Sequence, residues 1–398
     1  MRLNLGTIKD IFLRAHGKTF PQGMPSFSQW RMLPSVMNKK ERRQFLLFVG
    51  CFFTAGIILC VGFYLRHTII IPKYGGEYIE GVVGQPRYIN PIYGIINDTD
   101  RDLVQLVFSG LMTYDANGQI IPDLAESYEI SDDGTIYNVR MKDNLYWTDD
   151  VKLTADDVVY TINTIQDPEY KSPLRAGLIG VEVKKISENE IRFVLKNPYA
   201  SFLENLTVKI LPRHIWESIT PQNFPLSSYN LSPIGSGPYQ LIRVNRDKDD
   251  KIQSLMLIAN KKYHRKKPYI EKLTIKFFDN ENTLIGAVKK NSVQGYSLPY
   301  PTKQGNENNF QSYNLAIPRY FSLFMNSSKI LAFSDLSVRQ ALNYATDKQG
   351  IIDSVLGGKG QLVDSPIMPE IYGFAPTVPI YGFDQEKAGD ILEKQDIL

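Results

Sequence analysis

Between Arg43 and Arg66 the sequence carries no charge, and the 22 residues Gln44–Leu65, QFLLFVGCFFTAGIILCVGFYL, are almost wholly apolar. As a helix rising about 1.5 Å per residue, this run crosses a hydrocarbon core of about 30 Å. No water is present there to bond the backbone, so the segment must be helical. It is read as one transmembrane helix rather than a buried core helix, which rarely runs so long without a charge.

The flanks set its direction. Residues 1–43 hold nine Lys/Arg (Arg2, Lys9, Arg14, Lys18, Arg31, Lys39, Lys40, Arg42, Arg43) against Asp10 and Glu41, a net of +7. The other 355 residues hold 36 Lys/Arg and 40 Asp/Glu, a net of −4. Positive charge gathers on the cytoplasmic side. The N-terminus is therefore expected in the cytoplasm and residues 66–398 outside it. A cleaved signal peptide has a shorter basic region and a shorter apolar run. Phe48-Val49-Gly50-Cys51 faintly resembles a lipoprotein processing site, but apolar sequence continues to Leu65, which favours an uncleaved signal-anchor. Cys51 and Cys60, the two cysteines, then lie within the span as apolar filler. With two cysteines, a disulfide scaffold or a four-cysteine zinc site is excluded. The basic, aromatic tail could lie on anionic lipid; the plainer reading is a solvated tail that sets topology.

After the linker ending Gly75-Gly76, strand-like and helix-like stretches alternate. Glu77–Val83 reads as a strand. Asp98–Tyr114 has helical spacing at Leu103, Leu106, Val107 and Leu111. Asp132-Asp133-Gly134 marks a turn between Ser127–Ile130 and Thr135–Lys142. Thr154 with Asp157 forms a capping box ahead of a stripe of Val158, Val159, Ile162 and Ile165, closed by Asp167-Pro168. Ile191, Phe193 and Leu195 alternate, as do Leu273, Ile275 and Phe277. Tyr239–Val244 reads as a strand after Gly235-Ser236-Gly237-Pro238. Phe321, Leu323 and Met325 predict a late strand, and Ser334-Asp335 a helix with Val338, Ala341, Leu342 and Ala345 on one face. With 43% apolar and 22% charged residues, this is an ordinary globular α/β pattern.

Chemistry-bearing motifs are sparse. Of four histidines, His16 lies in the tail and His67 beside the span, leaving His214 and His264. A transition-metal site built on several His or Cys is disfavoured. No nucleophile elbow, P-loop or dinucleotide fingerprint appears. Gly235-x-Gly237 precedes proline and a strand, so it is not a helix-borne phosphate cradle. The acid pairs Asp132-Asp133, Asp149-Asp150 and Asp156-Asp157 read as turn and cap residues. The run Lys261-Lys262-Tyr263-His264-Arg265-Lys266-Lys267 has the look of a nucleic-acid patch. In a net-acidic, exported region it reads instead as a solvated turn. Tyr and Phe near Gly and Pro (Tyr88, Tyr93, Tyr239, Tyr320, Tyr372, Tyr381) suit either a cleft lining or a core.

The order of segments is more specific. GGEYIEGVVGQPRYINPIYG (75–94), LVFSGLMTYDANGQIIPDLAESYEISDDGTIYNVRMKDNLYWTDDVKLTADDVVYTI (106–162), NPYASFLENLTVKILPRHIWE (197–217), SPIGSGPYQL (232–241), ANKKYHRKKPYIEKLTIKFF (259–278) and FSDLSVRQALNYATDKQGIIDSVLGGKGQ (333–361) occur in sequence. Together they resemble the bacterial extracellular solute-binding proteins of family 5, the peptide/nickel group of ABC-transporter receptors. The resemblance covers residues 75–398. Asp149-Asp150 stands where the signature usually has Asp-Gly, and Lys152 where it usually has proline.

The resemblance implies an α/β, two-lobed fold of the periplasmic-binding type II kind with an extra subdomain, preceded by the N-terminal transmembrane helix. The expected layout is a cytoplasmic tail 1–43, a span 44–65, a linker 66–75, lobe I with the subdomain 76–262, and lobe II 263–398. DQEKAGDILEKQDIL (384–398) is similar to a helix from the middle of the second lobe. That implies an incomplete lobe II, lacking the acid that usually holds a peptide's amino group, in a truncated, split or fragmentary chain. It also implies a membrane-anchored receptor that closes on an oligopeptide or related solute and hands it to an ABC permease driven by ATPase subunits. No catalysis, cofactor, metal or nucleic-acid partner is implied. The alternatives are a surface or sensory protein that kept the fold, and an extracytoplasmic hydrolase, for which no nucleophile–His–acid set is visible. The ligand-binding positions carried over are Gln85, Pro86 and Arg87 where the first strand meets the cleft, Tyr239 after the Gly-Pro segment, and Arg319, Tyr320 and Phe321 on a second-lobe strand facing the ligand.

Overall fold

The uncharged run falls inside one continuous helix, α1, Lys39–His67. The Asn38 backbone N–H donates to the Glu41 carboxylate at 2.9 Å, which starts the helix. Its mean hydropathy reaches 2.5 and none of its side chains is buried. This computed structural model describes residues 32, 37–69, 71–199, 201–298, 310–311, 313, 320–365 and 379–394. The chain divides into two units, Met1–Pro72 and Lys73–Leu398.

The second unit is built on two sheets. In the first, strands β1 (Glu77–Val83), β8 (Tyr239–Arg246), β9 (Ile252–Ala259), β10 (Lys272–Phe278) and β11 (Gly295–Tyr296) take the order β11-β1-β10-β9-β8. β1 runs parallel to β10, with Glu77 opposite Lys272 and Val83 opposite Phe278. β9 pairs antiparallel with both β10 and β8. Residues to Tyr296 thus share a sheet with Glu77–Val83, and the expected 262/263 lobe boundary falls inside it. The non-local parallel pairing of β1 with β10 joins residues beyond 262 to the sheet of β1.

The second sheet is the antiparallel subdomain: β4 (Ala125–Ile130), β5 (Ile136–Met141), β7 (Glu190–Leu195) and β6 (Val181–Lys185) in the order β4-β5-β7-β6. A short hairpin, β2 (Met112–Tyr114) with β3 (Ile120–Pro122), leads into it. Alternation decides which face is covered: Ile191, Phe193 and Leu195 are buried, while Glu190 and Arg192 are exposed. Helix α3, Ala155–Gln166, covers that face with Val158, Ile162 and Ile165. Its start follows the capping box, the Thr154 backbone N–H donating to Asp157 Oδ2 at 2.8 Å. Fully buried Trp147, Phe193 and Phe202 lie in the same core as Leu255 and Leu257 of β9. Each large apolar side chain so buried contributes about 1.5–3 kcal/mol.

Helix α2, Asp98–Val107, stops short of the expected Tyr114. The Gly235-Ser236-Gly237 backbone lies against its last residue. The Gly237 N–H donates to Val107 O at 2.8 Å, and a Cβ on Gly235 would sit 2.0 Å from that oxygen. Ser109 donates twice to Ser236, its N–H to the hydroxyl oxygen at 3.2 Å and its own hydroxyl to the carbonyl at 3.3 Å. The Gly-x-Gly segment is therefore a packing seam that only glycine can occupy.

Helix α4 (Glu281–Lys289) packs on β1 and β10 through Leu284 and Val288. Further on, α5 (Leu336–Ala345), α6 (Lys348–Val355) and α7 (Gln385–Glu393) bury Val338, Ala341, Ile352 and Ala388. Asp335 caps α5 by accepting the Ser337 N–H at 2.7 Å. Tyr344 joins α5 to the segment before α7, its ring meeting Tyr381 edge-on at 5.3 Å and its carbonyl accepting the Asp384 N–H at 2.8 Å. The strand expected over Phe321, Leu323 and Met325 is not formed. Residues 320–325 lie in no ladder, and among the described residues their backbone has no hydrogen-bond partner. Alternation supplied a face, but no neighbouring strand pairs with it.

Candidate functional site

In open α/β sheets, ligands bind beyond the carboxyl ends of the strands. Here that edge is marked by Val83 and Phe278, the paired ends of β1 and β10. Gln85, Pro86 and Arg87 follow directly. Gly84 makes the exit at φ +118°, and its N–H donates to Phe278 O at 2.9 Å. The loop is then fixed from below. The Arg87 N–H donates to Asp100 Oδ1 at 2.7 Å, while Asn97 Nδ2 donates to Asp100 Oδ2 at 2.6 Å. Asp100 is fully buried in the first turn of α2, where a carboxylate also suits the helix dipole. Pro86 is buried and the Arg87 side chain is exposed. Gln85 keeps a buried amide nitrogen with no hydrogen-bond partner among the described residues. The strand edge thus carries one exposed guanidinium and one buried amide nitrogen without a partner among the described residues.

The other expected positions lie elsewhere. Tyr239 opens β8, is 8% exposed, and donates its hydroxyl to Ile270 O at 3.1 Å. Burial pushes its phenol above the ordinary tyrosine range. That is the environment of a core tyrosine. Arg319 lies outside the described residues. Tyr320 and Phe321 are 38% and 75% exposed. Among the described residues they make no hydrogen bond or ring contact with Gln85, Arg87 or Tyr239.

Two polar clusters, built around the buried acids Asp123 and Asp157, join residues that the sequence reading left apart. His264 Nε2 lies 2.9 Å from Asp123 Oδ1, with both side chains almost fully buried. Arg265 reaches the same oxygen at 3.7 Å, and Lys142 Nζ donates to the Asp123 carbonyl at 2.6 Å. Lys209, 7% exposed, completes the group. Burial pushes its ammonium below the ordinary lysine range, Asp123 opposes that, and Arg265 adds to it. In the second cluster, Asp157 accepts the Thr154 N–H and the Arg213 N–H, each at 2.8 Å. Burial raises its carboxyl, against the pull of those N–H groups. His214 pairs with Asp149 at 2.8 Å. Neither His214 nor His264 is hydrogen-bonded to a serine, threonine or cysteine among the described residues, and no group of three potential metal ligands is found among them. The sequence offered a lone His at each place, with the Thr154–Asp157 capping box beside one of them; the acid partners of the histidines lie 65 and 141 residues away.

Comparison with known proteins fits this architecture. Residues 119–397 match the family of bacterial extracellular solute-binding proteins, family 5. The oligopeptide-binding protein AppA of Bacillus subtilis is 28% identical over 330 residues, covering 81% of this chain and 59% of its own length. The dipeptide-binding protein of Escherichia coli is 29% identical over 302 residues, covering 69% and 55%. The chain thus spans somewhat over half the length of these relatives. The solved structure of Bacillus subtilis AppA with a nonapeptide superposes with a TM-score of 0.67 at 27% identity, over 82% of this chain and 64% of that one. NikZ from Campylobacter jejuni with Ni(L-His) gives 0.66 at 27%, over 82% and 64%. These are two-lobed periplasmic binding proteins, and the α/β unit described above has their fold. With the family match spanning most of its length, the chain belongs to the bacterial extracellular solute-binding proteins of family 5.

Proposed function

We propose that the protein is a membrane-anchored, extracytoplasmic substrate-binding component of an ABC transporter, taking oligopeptides into an interlobe cleft for import. The observation that carries the reading is the shared fold with a receptor solved around a nonapeptide, over 82% of this chain. Helix α1 serves as the anchor, with the basic tail on the cytoplasmic side. The role is binding rather than catalysis, in keeping with His214 and His264, whose ring nitrogens bond acids among the described residues.

In this reading Gln85 and Arg87 meet the ligand at the β1 edge, with Pro86 shaping the loop and Tyr239 supporting the wall from the core. Arg319, Tyr320 and Phe321 face it from the second lobe. The unpaired backbone of 320–325 supports this role. An extended peptide offers the same N–H and C=O groups whatever its side chains, so strand-like pairing gives affinity with broad specificity. The test is thermal melting of the full chain in lipid nanodiscs with pooled tri- to nonapeptides, against free amino acids and Ni(L-His). A peptide at 100 times its Kd adds about 2.7 kcal/mol of stability. Melting raised by peptides alone supports the reading; melting raised only by Ni(L-His) replaces the ligand class.

A further inference from the structure

The loop between β9 and β10 has a use that peptide binding does not require. β1 and β10 are parallel and start level, Glu77 opposite Lys272. The segment entering β1 and the loop entering β10 therefore leave the sheet at one end, away from the carboxyl edge. They also touch. Tyr74 stacks on Tyr269 with ring centroids 4.6 Å apart, and the Gly75 N–H donates to Tyr269 O at 2.8 Å. Lys266 Nζ donates to Tyr269 Oη at 2.7 Å and sits 4.8 Å from its ring centre.

This end of the sheet is strongly cationic. Lys73, Lys261, Lys262, Arg265, Lys266 and Lys267 are all exposed. Lys262 pairs with Asp150, and Arg265 reaches the buried Asp123. Lys73, Lys261, Lys266 and Lys267 have no carboxylate partner among the described residues. Glu77 is held by Lys272 at 3.0 Å, which leaves Glu271 as the free acid nearby. Such a cluster is notable because residues 44–398 are net −4, and an anionic surface would otherwise repel them.

The covalent chain limits where this cluster can go. Only residues 68–73 separate the end of α1 from Tyr74. Six extended residues reach about 20 Å at most. Tyr74 and Tyr269 add amphipathic rings of the kind favoured at a membrane–water boundary. We propose that the exposed lysines of the 261–267 loop, together with Lys73, bind anionic phospholipid head groups of the bilayer that anchors the chain. This rests on the anchored reading above and adds a lipid contact to it. Each lysine near such a surface strengthens association about fivefold, and salt weakens it.

The test uses the full chain in vesicles of phosphatidylcholine alone, or with 30% phosphatidylglycerol. Amine acylation is read by mass spectrometry at Lys73, Lys261, Lys266 and Lys267. Lys248, in the turn at the far end of β9, serves as control. The expected result is several-fold protection of the four lysines in the anionic vesicles only, lost in 1 M salt, with Lys248 unchanged. In the triple variant K261E/K266E/K267E, protection of Lys73 should disappear. Equal acylation in the two bilayers, whether fast or slow, overturns the proposal. A chain released by alkaline carbonate refutes the anchor instead. In that case, sedimentation of the released chain with anionic but not neutral vesicles that K261E/K266E/K267E weakens supports the loop contact, and sedimentation that the triple variant leaves unchanged, or no sedimentation, overturns it.

Discussion

Replacing Asp123 with asparagine keeps the volume and an oxygen for His264 but deletes one buried negative charge. The carboxylate is 4% exposed and faces His264 at 2.9 Å, with Arg265 at 3.7 Å. Lys209 depends on it most, since burial already disfavours its ammonium and Asp123 is the acid that offsets this. Removing one partner from a buried charge cluster costs about 3–5 kcal/mol, because the remaining charge has no compensation. The asparagine amide retains part of the bonding, so the lower figure of about 3 kcal/mol is expected. That is a large share of the roughly 5–15 kcal/mol by which most domains are stable. Urea unfolding followed by fluorescence suits the case, since Trp147 and Trp216 are 0% and 2% exposed in one hydrophobic core. A Trp30→Phe background removes the tail's signal. With an m-value of about 1–3 kcal/mol/M, the midpoint should fall by roughly 1–3 M. Adding Lys209→Met removes the stranded ammonium and should restore at least about 1 kcal/mol. The folded state holds the Lys209 proton less tightly than the unfolded chain. Stability therefore rises with pH between the lowered value and the ordinary lysine value, whereas the deficit of Asp123→Asn, in which Lys209 is lowered further still, should shrink as pH rises toward the lowered value of the unmodified chain. A loss under about 0.5 kcal/mol, or no recovery with Lys209→Met, would refute the reasoning.

Four further outcomes follow from the same structure. Gly235→Ala places a methyl 2.0 Å from the Val107 carbonyl, and overpacking against backbone should cost about 3 kcal/mol in the same unfolding assay. Asp157 holds its proton more tightly when folded, so stability declines as pH rises through its raised range. Relative to Asp157→Asn, the unmodified chain should therefore gain stability as pH falls from neutral toward the ordinary aspartate range, as read by melting across a pH series. Arg87→Ala removes an exposed side chain while its N–H stays on Asp100; melting should move by under about 0.5 kcal/mol while peptide affinity drops about tenfold. Tyr239→Phe loses the bond to Ile270 O, about 1 kcal/mol of stability, and should leave peptide affinity unchanged by calorimetry.

What could be read from the sequence was what local chemistry decides. The Thr154–Asp157 box, the Asp335 cap and the alternation of Ile191, Phe193 and Leu195 each fix an element within a few residues. Pairings between distant segments could not be read. Glu77 meets Lys272 across almost 200 residues, which moves β10 and β11 into the first sheet. Helix α2 ends at Val107 because a backbone from position 237 takes its carbonyl, not because its own periodicity fails. Phe321, Leu323 and Met325 have the alternation of a strand, yet alternation does not provide a partner. The site shows the same divide. Gln85, Pro86 and Arg87 follow directly on the strand that Glu77–Val83 predicted, while Asp100, which fixes that loop, sat unremarked in a helix. The Asp123, Lys209 and His264 cluster is drawn from three distant loops and has no sequence signature.

The central claim is that this chain binds peptides, and titration calorimetry of the full chain in nanodiscs tests it most directly. Injection of oligopeptides of mixed sequence should give saturable heats with one peptide per chain, weakened about tenfold by Arg87→Ala. A chain that unfolds cooperatively in urea yet gives no heat with any peptide would contradict the claim.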